Sequence, residues 1–238
     1  PLVFKDNIIF TDDVGTIFSV NQRGKINWKK NIYKKVYKGI FKSLSYSIYK
    51  GKIFVADNFG FIYVINLKNG KLIWIKNHGI PLKSNLKVFN DKIFVINQDN
   101  RLLCFDANNG SKIWDVRSVS SFIKSPNLLA LAISNEGYLI SLNTNGDLLK
   151  VKATNGAMYW TLNTTGSTIT HGADFFKSSN IVLSGDDIFF STSSSIFSFN
   201  LTNGYLNWVV NVGSGNTPII DGNNIFLVSD KGYFVNID

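Results

Sequence analysis

The residues able to do chemistry are few. The chain has two histidines, His78 and His171, and a single cysteine, Cys104. That set is too small for the Cys/His quartets that hold structural zinc, and one thiol excludes an intramolecular disulfide framework. Neither histidine shares a motif with an acid and a nucleophile: His78 stands in a Gly-containing stretch, and His171 directly precedes Gly172. Cys104 lies in Leu103-Cys104-Phe105 at an alternating position and reads as a small core residue. The acid pairs Asp12-Asp13 and Asp186-Asp187 fall at strand or turn edges, where Asp commonly organises a turn. No Asp-x-Asp-x-Asp loop gathers oxygens for calcium. No Gly-x-x-x-x-Gly-Lys-Ser/Thr loop is present to cradle phosphate, and no Gly-x-Ser-x-Gly elbow to expose a serine. Gly213-Ser-Gly215-Asn-Thr reads as a linker. The sequence therefore offers no catalytic, cofactor-binding or metal-ligating residues, and no cofactor is expected.

Charge is the next candidate for function. The formal net charge is +9, but residues 1–119 hold 20 Lys/Arg against 8 Asp/Glu, and residues 120–238 hold 5 against 8. The densest cluster is Lys29, Lys30, Lys34, Lys35, Lys38 and Lys42, closely preceded by Lys25. Such a patch suits an acidic protein, anionic lipid headgroups or nucleic acid. The competing reading is a lysine-biased solvated edge, where Lys also discourages edge-to-edge strand pairing, and this reading is favoured. Tyr33, Tyr37, Tyr46 and Tyr49 could stack on bases, but tyrosine is equally at home in strands, and a nucleic-acid partner is not expected.

The tryptophans could form a ligand-binding cage, until their spacing is read. Gly-x-x-x-Trp occurs five times and uses every Trp: Gly24/Trp28, Gly70/Trp74, Gly110/Trp114, Gly156/Trp160 and Gly204/Trp208. The tryptophans are 46, 40, 46 and 48 residues apart. Four of the glycines follow Asn, and Asn-Gly adopts positive φ cheaply, which marks a tight hairpin turn. A Trp at the same place in every repeat is expected to pack between adjacent repeats, burying apolar surface each time.

Each turn must be positioned by strands. A segment with period-two apolar alternation precedes it: Gly-x-Ile-Phe-x-Val-Asn at 15–21 and Gly-x-Ile-Tyr-x-Ile-Asn at 60–66, with looser copies at 100–106, 146–152 and 194–200 and a last one at 232–238. Period two with aromatic and β-branched types predicts a half-buried strand. Upstream lie apolar runs such as Ile53-Phe54-Val55, Ile93-Phe94-Val95 and Ile188-Phe189-Phe190, and a vaguer run opens each unit. Four short strands per roughly 40–50 residues is the signature of a propeller blade. The fold class is thus all-β, a β-propeller of four-stranded antiparallel blades. One domain over 1–238 is expected, with units near 1–38, 39–80, 81–121, 122–166 and 167–214 and a partial unit at 215–238. A single Glu, Glu136, agrees with few helices, and no apolar run is long enough for a spanning helix. Further blades outside this chain are expected, in a ring of seven or eight.

These residues resemble a known family. Asp57-Asn-Phe-Gly60-Phe-Ile-Tyr-Val-Ile-Asn66-Leu-Lys-Asn69-Gly70-Lys-Leu-Ile-Trp74 is similar to the PQQ-like β-propeller repeat, as is 229–238. The repeat occurs in quinoprotein dehydrogenases and in BamB-type lipoproteins of bacterial outer-membrane barrel assembly. The tightest family form has Ala before the strand-ending Asp; here Val20, Ile65, Phe105, Val151, Phe199 and Ile237 fill that slot, which implies relaxed Trp docking. The dehydrogenases usually carry adjacent cysteines beside PQQ, and this chain has no such pair. The resemblance therefore implies a non-catalytic, periplasmic protein-binding scaffold. Its partner would be of the kind that BamB finds in the POTRA repeats of BamA, and any membrane association would come through a lipid anchor outside this segment. The loops 29–48, 115–128 and 161–180 are the candidate binding rim. The alternatives are a quinoprotein dehydrogenase fragment and a ligand-sensing PQQ-like module.

Overall fold

The computed structural model describes residues 1–33, 35–117, 127–164 and 177–238. Among them, strands follow one another in simple antiparallel order, and a 3-10 turn lies at Lys35–Tyr37. The first sheet holds β1 (Leu2–Phe4), β2 (Asn7–Thr11), β3 (Thr16–Asn21) and β4 (Ile26–Asn31). The second holds β5 (Leu44–Tyr49), β6 (Lys52–Asp57), β7 (Phe61–Asn66) and β8 (Leu72–Asn77). The third holds β9 (Lys87–Phe89), β10 (Lys92–Ile96), β11 (Arg101–Asp106) and β12 (Lys112–Arg117). The fourth holds β13 (Ala130–Ile133), β14 (Tyr138–Leu142), β15 (Asp147–Lys152) and β16 (Met158–Asn163). The fifth holds β17 (Val182–Ser184), β18 (Asp187–Ser191), β19 (Ile196–Asn200) and β20 (Leu206–Val210). A sixth has β21 (Ile219–Asp221), β22 (Asn224–Val228) and β23 (Phe234–Ile237).

The chain forms two compact units. The first comprises Pro1–Leu82, Leu86–Phe94 and Phe105–Lys112; the second comprises Lys83–Asn85, Val95–Cys104 and Ile113–Asp238. In the first, Ile9, Ile17, Ile53, Val55, Tyr63 and Ile65 form a buried core, with Trp28 and Leu67 packed against it. In the second, Ile140, Leu148, Ile188, Phe190, Phe197 and Phe199 form one core, and Phe189, Ile196, Ile225 and Leu227 form another beside Trp208. Both patterns place side chains of one sheet against those of the next in sequence.

That stacking corrects the expected half-burial. β3 does alternate, but β7, β15 and β19 are buried on both faces for most of their length. A sheet sandwiched between neighbours has no solvent face, so its middle strands read as continuous apolar runs. Here the period-two pattern sorts side chains between two neighbours instead of between core and water.

The fourth strands β4, β8, β16 and β20 depart from regular pairing at one fixed place. Ser19 pairs Trp28 and Val20 pairs Ile26, so Asn27 is extra. Likewise Val64 pairs Trp74 and Ile65 pairs Leu72, leaving Ile73; the same shift leaves Tyr159 and Asn207. Each is a β-bulge, which adds one residue, bends the strand and re-aims the next side chain. In each strand that side chain is the repeat's Trp.

Candidate interaction surface

The repeated Trp and Gly are brought together in pairs, with Trp28, Trp74, Trp114 and Trp160 each against the next repeat's turn. Trp28 Nε1 donates to the Leu67 carbonyl at 2.9 Å, and Trp74 Nε1 to Ala107 at 3.2 Å. Trp114 Nε1 donates to Ala153 at 3.3 Å, and Trp160 Nε1 to Thr202 at 3.1 Å. The glycine of the same turn lies under the ring. A Cβ at Gly70 would sit 2.6 Å from Trp28, one at Gly110 2.8 Å from Trp74, and one at Gly156 2.9 Å from Trp114. At Gly204 a Cβ would meet Trp160 at 3.1 Å and Leu162 at 3.0 Å. Gly24 shares the positive φ, at 77°, but faces open space.

The turns themselves are wider than the two-residue hairpin that Asn-Gly suggests. Between β7 and β8 run residues 67–71, closed by Gly70 N to Asn66 O at 2.9 Å and Asn66 N to Lys71 O at 2.8 Å. Only the glycine is left-handed, with φ 68°. Asn69 instead uses its side chain, accepting from Lys71 N at 3.0 Å, while Asn66 Oδ1 accepts from Lys68 N at 2.9 Å. Asn109, Asn155 and Asn203 repeat the first contact. The motif is thus an amide-capped loop that ends on glycine.

This geometry separates two costs of a methyl group. Gly24→Ala is expected to lose only the conformational term, about 1 kcal/mol. Gly70→Ala also drives a Cβ into Trp28 and is expected to cost about 2–4 kcal/mol. Equal shifts of the two variants in chemical unfolding would contradict the packing account.

The basic cluster has a buried acid behind it. Asp57 is 1% exposed. Its Oδ1 accepts from the amides of Phe59 at 3.0 Å and Phe61 at 2.8 Å, and its Oδ2 from the hydroxyls of Tyr33 at 2.8 Å and Tyr63 at 3.1 Å. Burial pushes the carboxyl above its ordinary range, against the pull of those four bonds. Burial and the neighbouring carboxylate push both phenols well up, so they remain donors. Sequence reading missed this cluster, although a signal was there. Asp57-x-x-Gly60 is one of a series with Asp12-x-x-Gly15, Asn143-x-x-Gly146 and Ser229-x-x-Gly232, whose first side chains accept from the backbone of the turn.

The described lysines of the cluster come from different elements. Lys29 and Lys30 are consecutive in β4 and both exposed, Lys38 is exposed on the following loop, and Lys35 opens the 3-10 turn. Lys42 folds back, donating to the Ile40 carbonyl at 2.9 Å with its ammonium 5.3 Å from the centre of the Tyr33 ring. Lys34 lies outside the described residues, as do His171 and most of the expected rim segments 115–128 and 161–180.

The other candidates serve the fold. Asp12 Oδ1 accepts from Thr16 N, and Asp187 Oδ1 accepts from Asn207 Nδ2 at 2.8 Å. Cys104 is fully buried. His78 packs on Phe105 with ring centroids 3.9 Å apart, and burial lowers its pKa to about 4, so it is neutral at physiological pH. Among the described residues no group of three or more His, Cys, Asp or Glu could hold a metal, and no helix is long and apolar enough to cross a membrane.

Comparison with known proteins follows from this repeat. A family model described as outer membrane protein assembly factor BamB matches residues 6–238. The chain belongs to the BamB family. The BamB of Shewanella oneidensis is 23% identical over 199 residues, covering 79% of this chain and 48% of that protein. The BamB of Moranella endobia is 21% identical over 132 residues, covering 51% and 32%. The chain thus spans from a third to about half the length of these curated relatives. The crystal structure of BamB from Moraxella catarrhalis superposes with TM-score 0.79 at 13% identity, over 98% of this chain and 70% of that one. A europium-containing methanol dehydrogenase superposes with TM-score 0.67 at 12% identity, over 89% and 50%, which is a likeness of fold. The four-stranded antiparallel sheets are the blades of a β-propeller.

Proposed function

We propose that this chain is a non-catalytic protein-binding scaffold of outer membrane protein assembly, working in the periplasm. The observation that carries this reading is the family match across residues 6–238. The residues of the repeat support it. The five tryptophans and the glycines Gly70, Gly110, Gly156 and Gly204 are committed to packing, Asp12 to its turn, Asp187 to a cross-strand bond, and His78 and Cys104 to packing within the fold.

The scaffold would present its outermost strands and connecting loops. β8 exposes Leu72, Ile73 and Ile75, and β16 exposes Met158 and Tyr159. These strands pair on one side only, and an extended partner segment can add to such an edge through main-chain hydrogen bonds. Lys76 guards the β8 edge against indiscriminate pairing, as Lys29 and Lys30 do the edge at β4. The partner in this reading is a periplasmic domain of the POTRA kind.

The test is affinity capture from the periplasm with the tagged chain after in-cell cross-linking. Recovery of the outer-membrane barrel assembly machinery is the expected result, and recovery of none of its components would overturn the proposal. The purified chain is also expected to give no dye reduction when supplied with PQQ and calcium. Turnover there would restore the dehydrogenase reading.

A further inference from the structure

The connection from β4 to β5 has a chemistry of its own. From Val14 to Ala56 the sequence contains no Asp or Glu and ten Lys or Arg. Within that stretch, Phe41 is 80% exposed, Val36 74% and Ile40 48%, and Lys38 is exposed beside them. Exposed apolar side chains are ordinary when scattered singly. Three within six residues, on an acid-free and lysine-rich stretch of chain, are a patch.

The loop holds these side chains outward by anchoring the others. Tyr33 bonds Asp57, and Tyr37 packs on Phe59 at 4.9 Å and Phe61 at 6.3 Å between ring centroids. Asn58 clamps the base of the loop: its Nδ2 donates to the Phe41 carbonyl at 3.2 Å, and its Oδ1 accepts from Ser43 N at 2.9 Å. Two tyrosines therefore face the first unit's interior, while Val36, Ile40 and Phe41 are left in water.

An exposed ring and branched chains, on a loop whose own stretch of chain carries cations and no acid, suit one surface better than others. A bilayer requires no matching pocket. It takes apolar tips into the boundary between headgroups and acyl chains and lipid phosphates onto lysines, each roughly independently. A protein partner would need an acidic pocket shaped to a single projecting ring. We infer that the loop Val36–Lys42 is an interfacial contact for an anionic phospholipid surface, with Phe41 and Val36 entering the bilayer and Lys38 meeting phosphates. The inference is independent of the scaffold reading, since the purified chain needs no protein partner to show it.

The test is flotation of the purified chain with phosphatidylcholine vesicles, with and without phosphatidylglycerol. Binding is expected only with phosphatidylglycerol and is expected to weaken as salt rises. Val36→Ser with Phe41→Ser should weaken it by at least about tenfold, and Lys38→Glu should weaken it several-fold, with unchanged thermal unfolding. Wild-type protein that stays unbound, or a double variant that binds as well as wild type, would overturn the inference. So would equal binding to both vesicle types. A site-specific readout is available because Cys104 is fully buried. An environment-sensitive dye on Phe41→Cys should shift to the blue with anionic vesicles, whereas the same dye on Asn223→Cys should not. Equal shifts at both positions would also count against the loop. Capture of a barrel-assembly protein by the Val36/Phe41 variant would leave the scaffold reading standing by itself.

Discussion

Trp28→Ala is expected to lower the unfolding free energy by about 3–5 kcal/mol, the range for deleting a large, packed aromatic side chain. The indole covers Gly70, packs on the core of Ile9, Ile17, Ile53 and Ile65, and bonds the Leu67 carbonyl at 2.9 Å. Trp28→Phe keeps much of the apolar contact and removes the donor, so its cost is expected to be smaller, about 1–3 kcal/mol. The two halves of the contact can then be tested against each other. Gly70→Ala is strained by its φ of 68° and by collision with the Trp28 ring. In the Trp28→Ala background the ring is gone, so only the conformational cost of about 1 kcal/mol should remain. Denaturant unfolding of the four proteins in this cycle gives the coupling directly. Additive effects would mean that Gly70 is required for its turn alone, and that the Trp–Gly pairing is incidental.

The contrast between Gly70 and Gly24 shows what the sequence could and could not tell. Gly-x-x-x-Trp was legible as a repeat because its spacing recurs near 40–48 residues, and four strands per unit followed from the apolar runs. Which surface each Trp meets was legible only in outline. The bulges at Asn27, Ile73, Tyr159 and Asn207 turn the rings toward the next turn, and a bulge leaves no fixed residue type in these four positions. Asn69 before Gly70 was legible as a turn, but its side chain acts as an acceptor and its backbone is not left-handed. Double-sided burial of β7 was hidden for a different reason. Phe61-Ile-Tyr-Val-Ile65 fits a half-buried and a fully buried strand equally well, and only neighbours on both sides decide between them.

The candidate surface was less legible than the fold. The lysine cluster was visible by count, yet Lys42 turns inward onto Tyr33 and Ile40. The exposed Phe41 and Val36 looked like any apolar residues in a β-rich chain. What distinguishes them is the set of anchors that holds Tyr33 and Tyr37 inward. Those anchors depend on Asp57, forty-odd residues beyond the preceding acid, Asp13.

Asp57→Ala is expected to cost about 3–4 kcal/mol, because it leaves two backbone amides and two tyrosine hydroxyls without their acceptor. Hydrogen exchange should quicken at the Phe59 and Phe61 amides before it does elsewhere in the first unit. Asp57→Asn is a sharper probe. Its carbonyl oxygen still accepts from both amides, its amide donates to the tyrosine oxygens, and its loss should stay under about 1.5 kcal/mol at neutral pH. The two proteins must then diverge with pH. Burial raises the Asp57 carboxyl in the folded state, whereas the unfolded carboxyl titrates near about 3.9. Between those values the folded protein binds the proton more tightly, so wild-type stability rises relative to Asp57→Asn as pH falls through the folded pKa toward about 4. Above the folded pKa the desolvation cost of the carboxylate is fully present and the gap between the two is constant. A carboxylate stabilised by its four hydrogen bonds would give the opposite slope, with wild type losing stability relative to Asp57→Asn on acidification. That result would reverse the balance between burial and hydrogen bonding assigned to Asp57. It would also mean that the loop carrying Phe41 is anchored by a charge and not by a buried acid able to share a proton.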